Sequence, residues 1–319
     1  MLIQTALFLI GIGVLYMGAE SLVKGAASLA LRFGIRPLVV GLTVVALGTS
    51  MPEFVINFFA ALSGEPDIAL GNIIGSNIAN IALILGISAL ILPLRVSRAM
   101  LRKEYPMMML AMGLFWLLAS DGTISQLDGL ILVIVLIVFL VYIVIDARRY
   151  SRDAALEGVS EVDKEDLKAP LWKKVLYLVM GIVLVSIGAR LMVLSAINIA
   201  EFLGVPQVVI GLTIVAIGTS LPELAASVVS AMKDETELSV GNALGSNILN
   251  VLFVVGLVAL IHPLEVSSAS LNIHFPVMMG FCILFFPLAW TQRRITRVEG
   301  GILLLGFLGY MTYLILPYI

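Results

Sequence analysis

The chain has 319 residues, of which 61% are hydrophobic and only 13% are charged. Soluble domains carry roughly 25% charged residues, so this composition excludes an ordinary soluble protein and predicts an all-α polytopic membrane protein. The net charge of −2 favours no class of partner, and the single cysteine, Cys282, excludes an internal disulfide and a metal site of paired cysteines. We expect one membrane domain in a lipid bilayer, with no cofactor and no nucleic-acid partner.

Apolar runs that are interrupted by Gly, Pro or charged residues predict ten transmembrane helices. In chain order they lie near residues 2–31, 37–62, 68–92, 104–119, 125–146, 173–200, 207–231, 237–262, 272–290 and 296–316. The first basic residue, Lys24, follows a long apolar run, so we expect the first segment to remain as a helix rather than to be cleaved as a signal peptide.

A stretch of mixed acidic and basic residues at 147–172 is predicted to link two five-helix halves, 1–146 and 173–319. Because each half has an odd number of predicted helices, the second half enters the membrane from the opposite side, and the two halves form an inverted repeat. Lys and Arg concentrate in alternate loops, which predicts that those loops and the linker are cytoplasmic and that both termini lie outside. An inner (cell) membrane is the simplest location for such a short chain.

The same glutamate-bearing segment occurs once in each half. Residues 41–53 read GLTVVALGTSMPE and residues 211–223 read GLTIVAIGTSLPE, 170 positions later. A lone acid at membrane depth costs roughly 2.5 to 3.5 kcal/mol on insertion scales, so two of them in duplicated surroundings indicate function. Glu53 and Glu223 are therefore the central candidate residues.

Each of these segments contains a proline that should break its helix. Pro52 and Pro222 lack an N–H group and crowd the carbonyl four residues back, on Gly48 and Gly218. Such freed carbonyls are tolerated at membrane depth only inside protein or beside a polar cavity. A carboxylate and two hydroxyls stand within one turn of each break, and Ca²⁺ takes six to eight oxygen ligands of these kinds. The segments therefore predict an oxygen-lined site for a hard cation.

A second duplicated motif follows each first one: GNIIGSNIAN at 71–80 and GNALGSNILN at 241–250. Four-residue spacing places three polar side chains of each motif on one helix face. These stripes are Asn72, Ser76 and Asn80, and Asn242, Ser246 and Asn250. We expect them to face the broken helices and to add neutral oxygens, because a site with too many carboxylates would release its ion too slowly.

Together, the GTSMPE and GTSLPE segments and the two asparagine-rich motifs resemble the alpha-repeats of the sodium/calcium exchanger family, within the calcium/cation antiporters. The resemblance implies ten helices in inverted repeats, and exchange of Ca²⁺ for Na⁺ by alternating access at a mid-membrane site. It implies that Glu53 and Glu223 bind Ca²⁺ together with backbone oxygens of Thr49 and Thr219. It also implies Na⁺ sites that share both glutamates with Ala46, Ser50, Ser76, Ala216, Ser220 and Ser246.

Further implications concern gating and coupling. The first and sixth helices would slide as gating elements, and Asn80 matches a polar site position of the family. Many family members carry aspartate where this chain has Asn250. An amide cannot change its charge with pH, so the sodium stoichiometry and any proton coupling do not carry over directly.

Other functions remain open at this stage. A Ca²⁺/H⁺ antiporter could use the same two glutamates as proton acceptors, and K⁺ coupling is a further alternative. The acids could also be protonated groups that only join helices, or belong to a scaffold that does not transport. An intramembrane enzyme is disfavoured because the duplication gives both acids similar surroundings, whereas acid–base catalysis needs unlike pKa values. We therefore expect a transporter, not an enzyme.

Overall fold

The structure is a computed structural model that describes residues 1–148, 170–205 and 210–316. Most of the predicted linker, residues 149–169, lies outside the described residues. So do residues 206–209 of the predicted seventh helix and the side chains at 66, 67, 148, 211, 212 and 216. The oligomeric state is left open.

Helices make up nearly all of the first half. They are α1 (Leu2–Phe33), α2 (Pro37–Thr49), α3 (Met51–Leu62), α4 (Ile68–Ile91), α5 (Arg98–Arg102), α6 (Glu104–Ala119) and α7 (Gln126–Arg148). The second half repeats this order. Its helices are α8 (Leu171–Phe202), α9 (Ala216–Gly218), α10 (Leu221–Met232), α11 (Thr236–Ile261), α12 (Ser270–Gln292) and α13 (Arg297–Ile315).

Seven of the helices in the described ranges are long and apolar enough to cross a membrane: α1, α4, α7, α8, α11, α12 and α13. The bent pair α2 and α3 makes an eighth span if it is counted as one. Helix α6 has 16 residues and α10 has 12, which is short of a full crossing. The described helices thus give seven or eight spans by length, and the count of ten stays a prediction.

The helix breaks predicted at the two prolines are confirmed. Helices α2 and α3 meet at 44°, and Ser50 between them leaves helical geometry at φ −83°, ψ 2°. Ser220 has nearly the same conformation before α10, at φ −90°, ψ 7°. Pro52 and Pro222 then occupy the first turn of the following helix, where a missing N–H costs little. Each glutamate consequently lies in the first turn of a new helix.

Wider π-helical turns occur at equivalent places in both halves. Gly41–Val45 and Gly211–Val215 precede the two breaks, and Asn80–Ile84 and Asn250–Val255 follow the second motifs. Such turns inside helices are frequent at functional sites. The second pair begins at the asparagine that closes each motif.

Helices α1 and α8 pack against each other along their length in antiparallel directions. Gly11 approaches Gly188, whereas Gly25, about four turns of helix further on, approaches Leu178. A Cβ atom added to Gly18 would lie 2.5 Å from the backbone nitrogen of Val185. The first helices of the two halves are therefore in backbone-to-backbone contact, and they run in opposite directions.

Four two-residue strands occur among the described residues of this otherwise helical structure. Strand β1 (Leu94–Arg95) pairs antiparallel with β4 (Arg294–Ile295), and β2 (Thr123–Ile124) pairs antiparallel with β3 (Leu264–Glu265). Pairing satisfies backbone groups that the ends of the helices leave free. Each strand pair, or ladder, joins a loop of the first half to a loop of the second half. The two loops that a ladder joins were predicted on the same side of the membrane.

Burial separates the helices into two classes. Helices α4 and α11, which carry the second motifs, are buried over most of their length, whereas the other five long helices are mostly exposed. Exposed apolar side chains on long apolar helices suit contact with lipid, where no water competes. The core therefore lies around α4 and α11, against the two helix breaks.

Candidate cation-binding site

The two candidate glutamates point into the protein core. Glu53 is 1% exposed and Glu223 is 0% exposed. Ser50, at the first break, donates a hydrogen bond from Oγ to Oε1 of Glu223 at 3.1 Å. The acids from opposite halves thus share one buried region at the amino-terminal ends of α3 and α10.

Serines of both motifs line the same region. Ser220 donates from Oγ to Oγ of Ser76 at 3.1 Å, which joins the second break to α4. Ser246, on α11, is 0% exposed. All three serines are buried.

The threonines at the breaks are held by the asparagines that open the second motifs. Thr49 donates from Oγ1 to Oδ1 of Asn242 at 3.3 Å, and Asn72 donates from Nδ2 to Oγ1 of Thr219 at 3.0 Å. The backbone oxygen of Ala46, also at 3.3 Å, is the alternative acceptor for the single hydroxyl proton of Thr49. Each helix break is therefore hydrogen-bonded to the other half of the chain, because its threonine pairs with an asparagine of that half.

Two further residues, which the sequence analysis did not select, support the glutamates. Asn57 donates from Nδ2 to the backbone oxygen of Glu53 at 2.7 Å and to Oδ1 of Asn72 at 2.9 Å. At the equivalent place in the second half, Asn242 donates to Oγ of Ser227 at 2.9 Å. A polar residue four positions after each glutamate was the available sequence signal, because that spacing returns to the same helix face.

The asparagines that close the second motifs make hydrogen bonds across the two halves. Asn80 donates from Nδ2 to Oδ1 of Asn247 at 2.9 Å, and Asn250 donates from Nδ2 to Oδ1 of Asn77 at 3.3 Å. All four are buried. Asn77 and Asn247 were not selected from the sequence. The stripes of polar residues at four-residue spacing contain Ser76 and Ser246, which lie one position before them.

Seven buried oxygens of this region have no hydrogen-bond partner among the described residues. They are Oε1 and Oε2 of Glu53, Oε2 of Glu223, Oδ1 of Asn57, Oδ1 of Asn80, Oδ1 of Asn250 and Oγ of Ser246. A buried polar atom without a partner costs about 1 to 3 kcal/mol, more when it is charged, so a group of them calls for a ligand. Carboxylate, amide and hydroxyl oxygens are the ligand atoms that Ca²⁺ and other hard cations prefer.

The predicted site residues come together, with one exception that the structure does not describe. Ala46 is buried, and its backbone oxygen accepts from the Ser50 N–H at 2.9 Å, beside the first break. The side chain of Ala216 lies outside the description. Within the described ranges, no group of three or more His, Cys, Asp or Glu side chains could hold a metal ion, so the acids have neutral companions.

The chain is similar to several known proteins over most of its length. A family model for "Sodium/calcium exchanger protein" matches residues 3–145 and 173–316. The putative antiporter CaxA of Alkalimonas amylolytica is 38% identical over 314 residues, covering 97% of this chain and 98% of that protein. The inner membrane protein YrbG of Escherichia coli K12 is 35% identical over 323 residues, covering 100% and 98%.

A named exchanger and solved structures are similar over the same length. The sodium/calcium exchanger MaX1 of Methanosarcina acetivorans is 31% identical over 340 residues, covering 97% of each chain. The exchanger NCX_Mj, soaked with 2.5 mM Na⁺ and 10 mM Sr²⁺, superposes with a TM-score of 0.84 at 30% identity, covering 98% of each chain. With two matched repeats, buried paired acids and full-length relatives, the chain belongs to the sodium/calcium exchanger protein family and is an integral membrane protein.

Proposed function

We propose that the protein exchanges Ca²⁺ for Na⁺ across the membrane by alternating access at the site between the amino-terminal ends of α3 and α10. The observation that carries the proposal is the group of unpartnered buried oxygens around Glu53 and Glu223. Two carboxylates supply a formal charge of −2, which balances one divalent cation. Neutral amide and hydroxyl oxygens complete the coordination without holding the ion too tightly for release.

In this proposal Ca²⁺ is bound by Glu53 and Glu223, with backbone oxygens of Thr49 and Thr219. The Na⁺ sites use the same two acids together with neutral neighbours: Ala46, Ser50, Ser76, Asn80, Ala216, Ser220, Ser246 and Asn250. Because Ca²⁺ and several Na⁺ ions compete for the same carboxylates, the site holds one set or the other. Exchange is then obligatory.

Sodium is favoured over protons as the coupling ion by the residues beside the acids. Asn80 and Asn250 are amides, which do not titrate, and Ser76 and Ser246 provide hydroxyls suited to a monovalent cation. The alternative, Ca²⁺/H⁺ exchange, would rely on protonation of Glu53 and Glu223 alone. NCX_Mj, the structural relative, was studied with Na⁺ and with divalent cations.

The proposed membrane arrangement has ten helices in two inverted repeats, 1–146 and 173–319, joined by a cytoplasmic linker at 147–172. Antiparallel packing of α1 on α8 supports inversion, because these helices are equivalent in the two halves. The two strand ladders support the alternation of loops between the two sides. Both termini then lie outside, and the similarity to YrbG supports an inner membrane.

The test is calcium-45 uptake into proteoliposomes that contain the purified chain, with one driving gradient applied at a time. An outward Na⁺ gradient should drive uptake, and an outward H⁺ or K⁺ gradient alone should not. Glu53→Gln protein, reconstituted in the same way, is the matched control for leak. Uptake that responds only to the H⁺ gradient would show that H⁺, rather than Na⁺, is the coupling ion. Uptake that needs no gradient would argue against antiport altogether.

A further inference from the structure

Four asparagines, Asn77, Asn80, Asn247 and Asn250, form a hydrogen-bonded cluster between α4 and α11. We propose that Asn77 and Asn247 are positioning residues: each holds the amide of an asparagine in the opposite repeat so that its carbonyl oxygen faces the transported cation. Asn77 acts on Asn250, and Asn247 acts on Asn80. The inference rests on the proposed function, because it concerns the cation site of that exchanger.

Asn80 and Asn250 are the two asparagines whose side-chain amides are held. A side-chain amide has two N–H donors and one acceptor oxygen. Asn80 donates to Oδ1 of Asn247 at 2.9 Å, and Asn250 donates to Oδ1 of Asn77 at 3.3 Å. With the nitrogen of each amide turned to its partner, the oxygen faces the other way. Those two oxygens, Oδ1 of Asn80 and Oδ1 of Asn250, are buried and have no partner within the described part of the chain.

The orientation of Asn77 and Asn247 is itself fixed by sulfur. Asn77 donates from Nδ2 to Sδ of Met112 at 3.7 Å and to Sδ of Met278 at 3.8 Å. Asn247 donates to Sδ of Met108 at 3.8 Å. A thioether accepts hydrogen bonds but cannot donate them, so the amide nitrogen must face the sulfur. The amide oxygen then faces the asparagine of the other repeat, and a flipped amide would lose both bonds.

The two hydrogen bonds that cross between the repeats are equivalent, as a shared site between the repeats requires. Asn77 and Asn80 correspond to Asn247 and Asn250 at the offset of 170, so the two crossing bonds are equivalent. Asn247 also donates to the backbone oxygen of Asn77 at 3.3 Å, which joins α4 to α11 directly. The cluster therefore couples the position of each candidate ligand to the helix of the opposite repeat.

The experiment measures Ca²⁺ binding to the purified full-length chain in detergent by titration calorimetry, with thermal unfolding measured in parallel. Asn77→Ala and Asn247→Ala should each weaken Ca²⁺ binding by about 3- to 10-fold, the size expected for losing one orienting hydrogen bond. Asn80→Ala and Asn250→Ala should weaken it at least as much. Asn272→Ala, at an exposed asparagine of α12, should leave binding unchanged.

Double variants distinguish positioning from general support of the fold. If Asn247 acts through Asn80, the double variant should bind no more weakly than Asn80→Ala alone, and Asn77 with Asn250 should behave in the same way. The same-repeat pairs, Asn77 with Asn80 and Asn247 with Asn250, should show nearly additive losses. A purely structural role predicts no such difference between crossed and same-repeat pairs.

A variant that retains core volume covers the case in which an alanine variant does not fold. Met112→Leu combined with Met278→Leu keeps an apolar side chain of similar size but removes the sulfurs that orient Asn77. Ca²⁺ binding should weaken by about 3-fold, and combination with Asn250→Ala should add nothing further. Unchanged binding in the methionine double variant, or additive losses in every cycle, would overturn the proposal.

The readouts separate this inference from the function on which it rests. If the wild-type chain binds Ca²⁺ but the losses of affinity in all the double variants are additive, only the positioning role is excluded. The proposed ion exchange is then unaffected. Conversely, if the crossed pairs show non-additive losses but the chain shows no Na⁺-driven uptake, the positioning role is supported and coupling to Na⁺ is excluded. A wild-type chain that binds no Ca²⁺ would end both.

Discussion

Ser50 and Glu223 lie 173 positions apart in the chain, yet Oγ of Ser50 donates to Oε1 of Glu223 at 3.1 Å. The serine belongs to the break in the first repeat and the acid to the break in the second. This contact makes each break dependent on the other, because a shift of one moves a hydrogen-bond partner of the other. Glu53 and Glu223, which follow the two breaks, should therefore be tested together.

Replacing either acid by its amide should abolish transport without unfolding the chain. Glu53→Gln and Glu223→Gln keep nearly the same side-chain volume and remove one buried negative charge. Na⁺-driven calcium-45 uptake should fall by about 100-fold or more, because an unpaired divalent charge at a buried site costs several kcal/mol. Size-exclusion elution and thermal unfolding without Ca²⁺ check the fold. Retained uptake in both variants would place the site elsewhere.

Removing the substrate ion should lower stability. A ligand that binds only the folded chain adds about 2.7 kcal/mol to the free energy of unfolding at 100 times its Kd. Thermal unfolding with Ca²⁺ should therefore occur at a higher temperature than with a chelator. Added Na⁺ should reduce the difference by competition. The Glu53→Gln chain is the control, and an equal Ca²⁺ shift in that variant would contradict binding at this site.

Adding a titratable group beside the acids should introduce a pH dependence. Asn250→Asp places a carboxyl where the wild type has an amide that cannot change its charge. At low pH the new carboxyl is protonated and neutral, so Ca²⁺ binding in the variant should weaken as pH falls relative to the wild type. Titration calorimetry across pH checks this result, with Asn272→Asp as a control outside the site. Identical pH profiles in all three chains would show that position 250 does not face the ion.

The close packing of α1 on α8 predicts a strong difference between two glycines of one helix. Gly18→Ala would place Cβ 2.5 Å from the Val185 backbone nitrogen, and the backbone cannot move aside as a flexible side chain can. We expect a loss of about 1 to 3 kcal/mol in stability together with reduced uptake. Gly13→Ala is the matched control, because nothing lies within 4 Å of its added Cβ. Similar unfolding temperatures for the two variants would contradict this packing.

A partly buried charge cluster near the end of α1 should contribute to stability. Arg36, which is 11% exposed, donates to Glu104 at 2.7 Å and to Asp146 at 3.0 Å. Burial lowers the pKa of Arg36, but the carboxylates of Glu104, Asp146 and Glu237 raise it by more, so its pKa lies above the ordinary value. A raised pKa in the folded state gives stability that is lost only as pH rises through that value, far above neutral. The contribution should therefore be constant around neutral pH.

Arg36→Met should destabilise the chain by up to about 3 to 5 kcal/mol, because it leaves Glu104 buried without its partner. Combining it with Glu104→Leu should recover part of the loss, since an apolar pair needs no counter-charge. Arg95→Gln is the control: its pair with Asp234 is exposed at 72% and 61%, where an ion pair contributes about 1 kcal/mol or less. Thermal unfolding of the three variants measures these differences. Equal effects of Arg36→Met and Arg95→Gln would show that the cluster has no special role.

Much of the site follows from patterns that are local in the chain. The breaks at Pro52 and Pro222 could be predicted because a missing N–H acts within its own helix. Asn77 and Asn247 could not be selected in the same way. A four-residue stripe predicts which side chains share a face, but not which of them meets a methionine or an asparagine of another helix.

The strand ladders show the same limit in the fold. Each strand has only two residues, and nothing in Leu94–Arg95 or Thr123–Ile124 distinguishes it from an ordinary loop. They pair because the packed helices bring two loop ends together, so that unpaired backbone groups of one loop meet those of the other.

The sequence by itself determined the class of protein, the duplication at an offset of 170 and the two acids beside helix breaks. Composition and residue spacing can be read along the linear chain, without knowledge of tertiary contacts. Only the tertiary structure decided which oxygens stay unpartnered and which amides are turned toward them. Those depend on contacts such as Asn250 with Asn77, 173 positions apart, where the direction of a hydrogen bond is set by the neighbours that packing supplies.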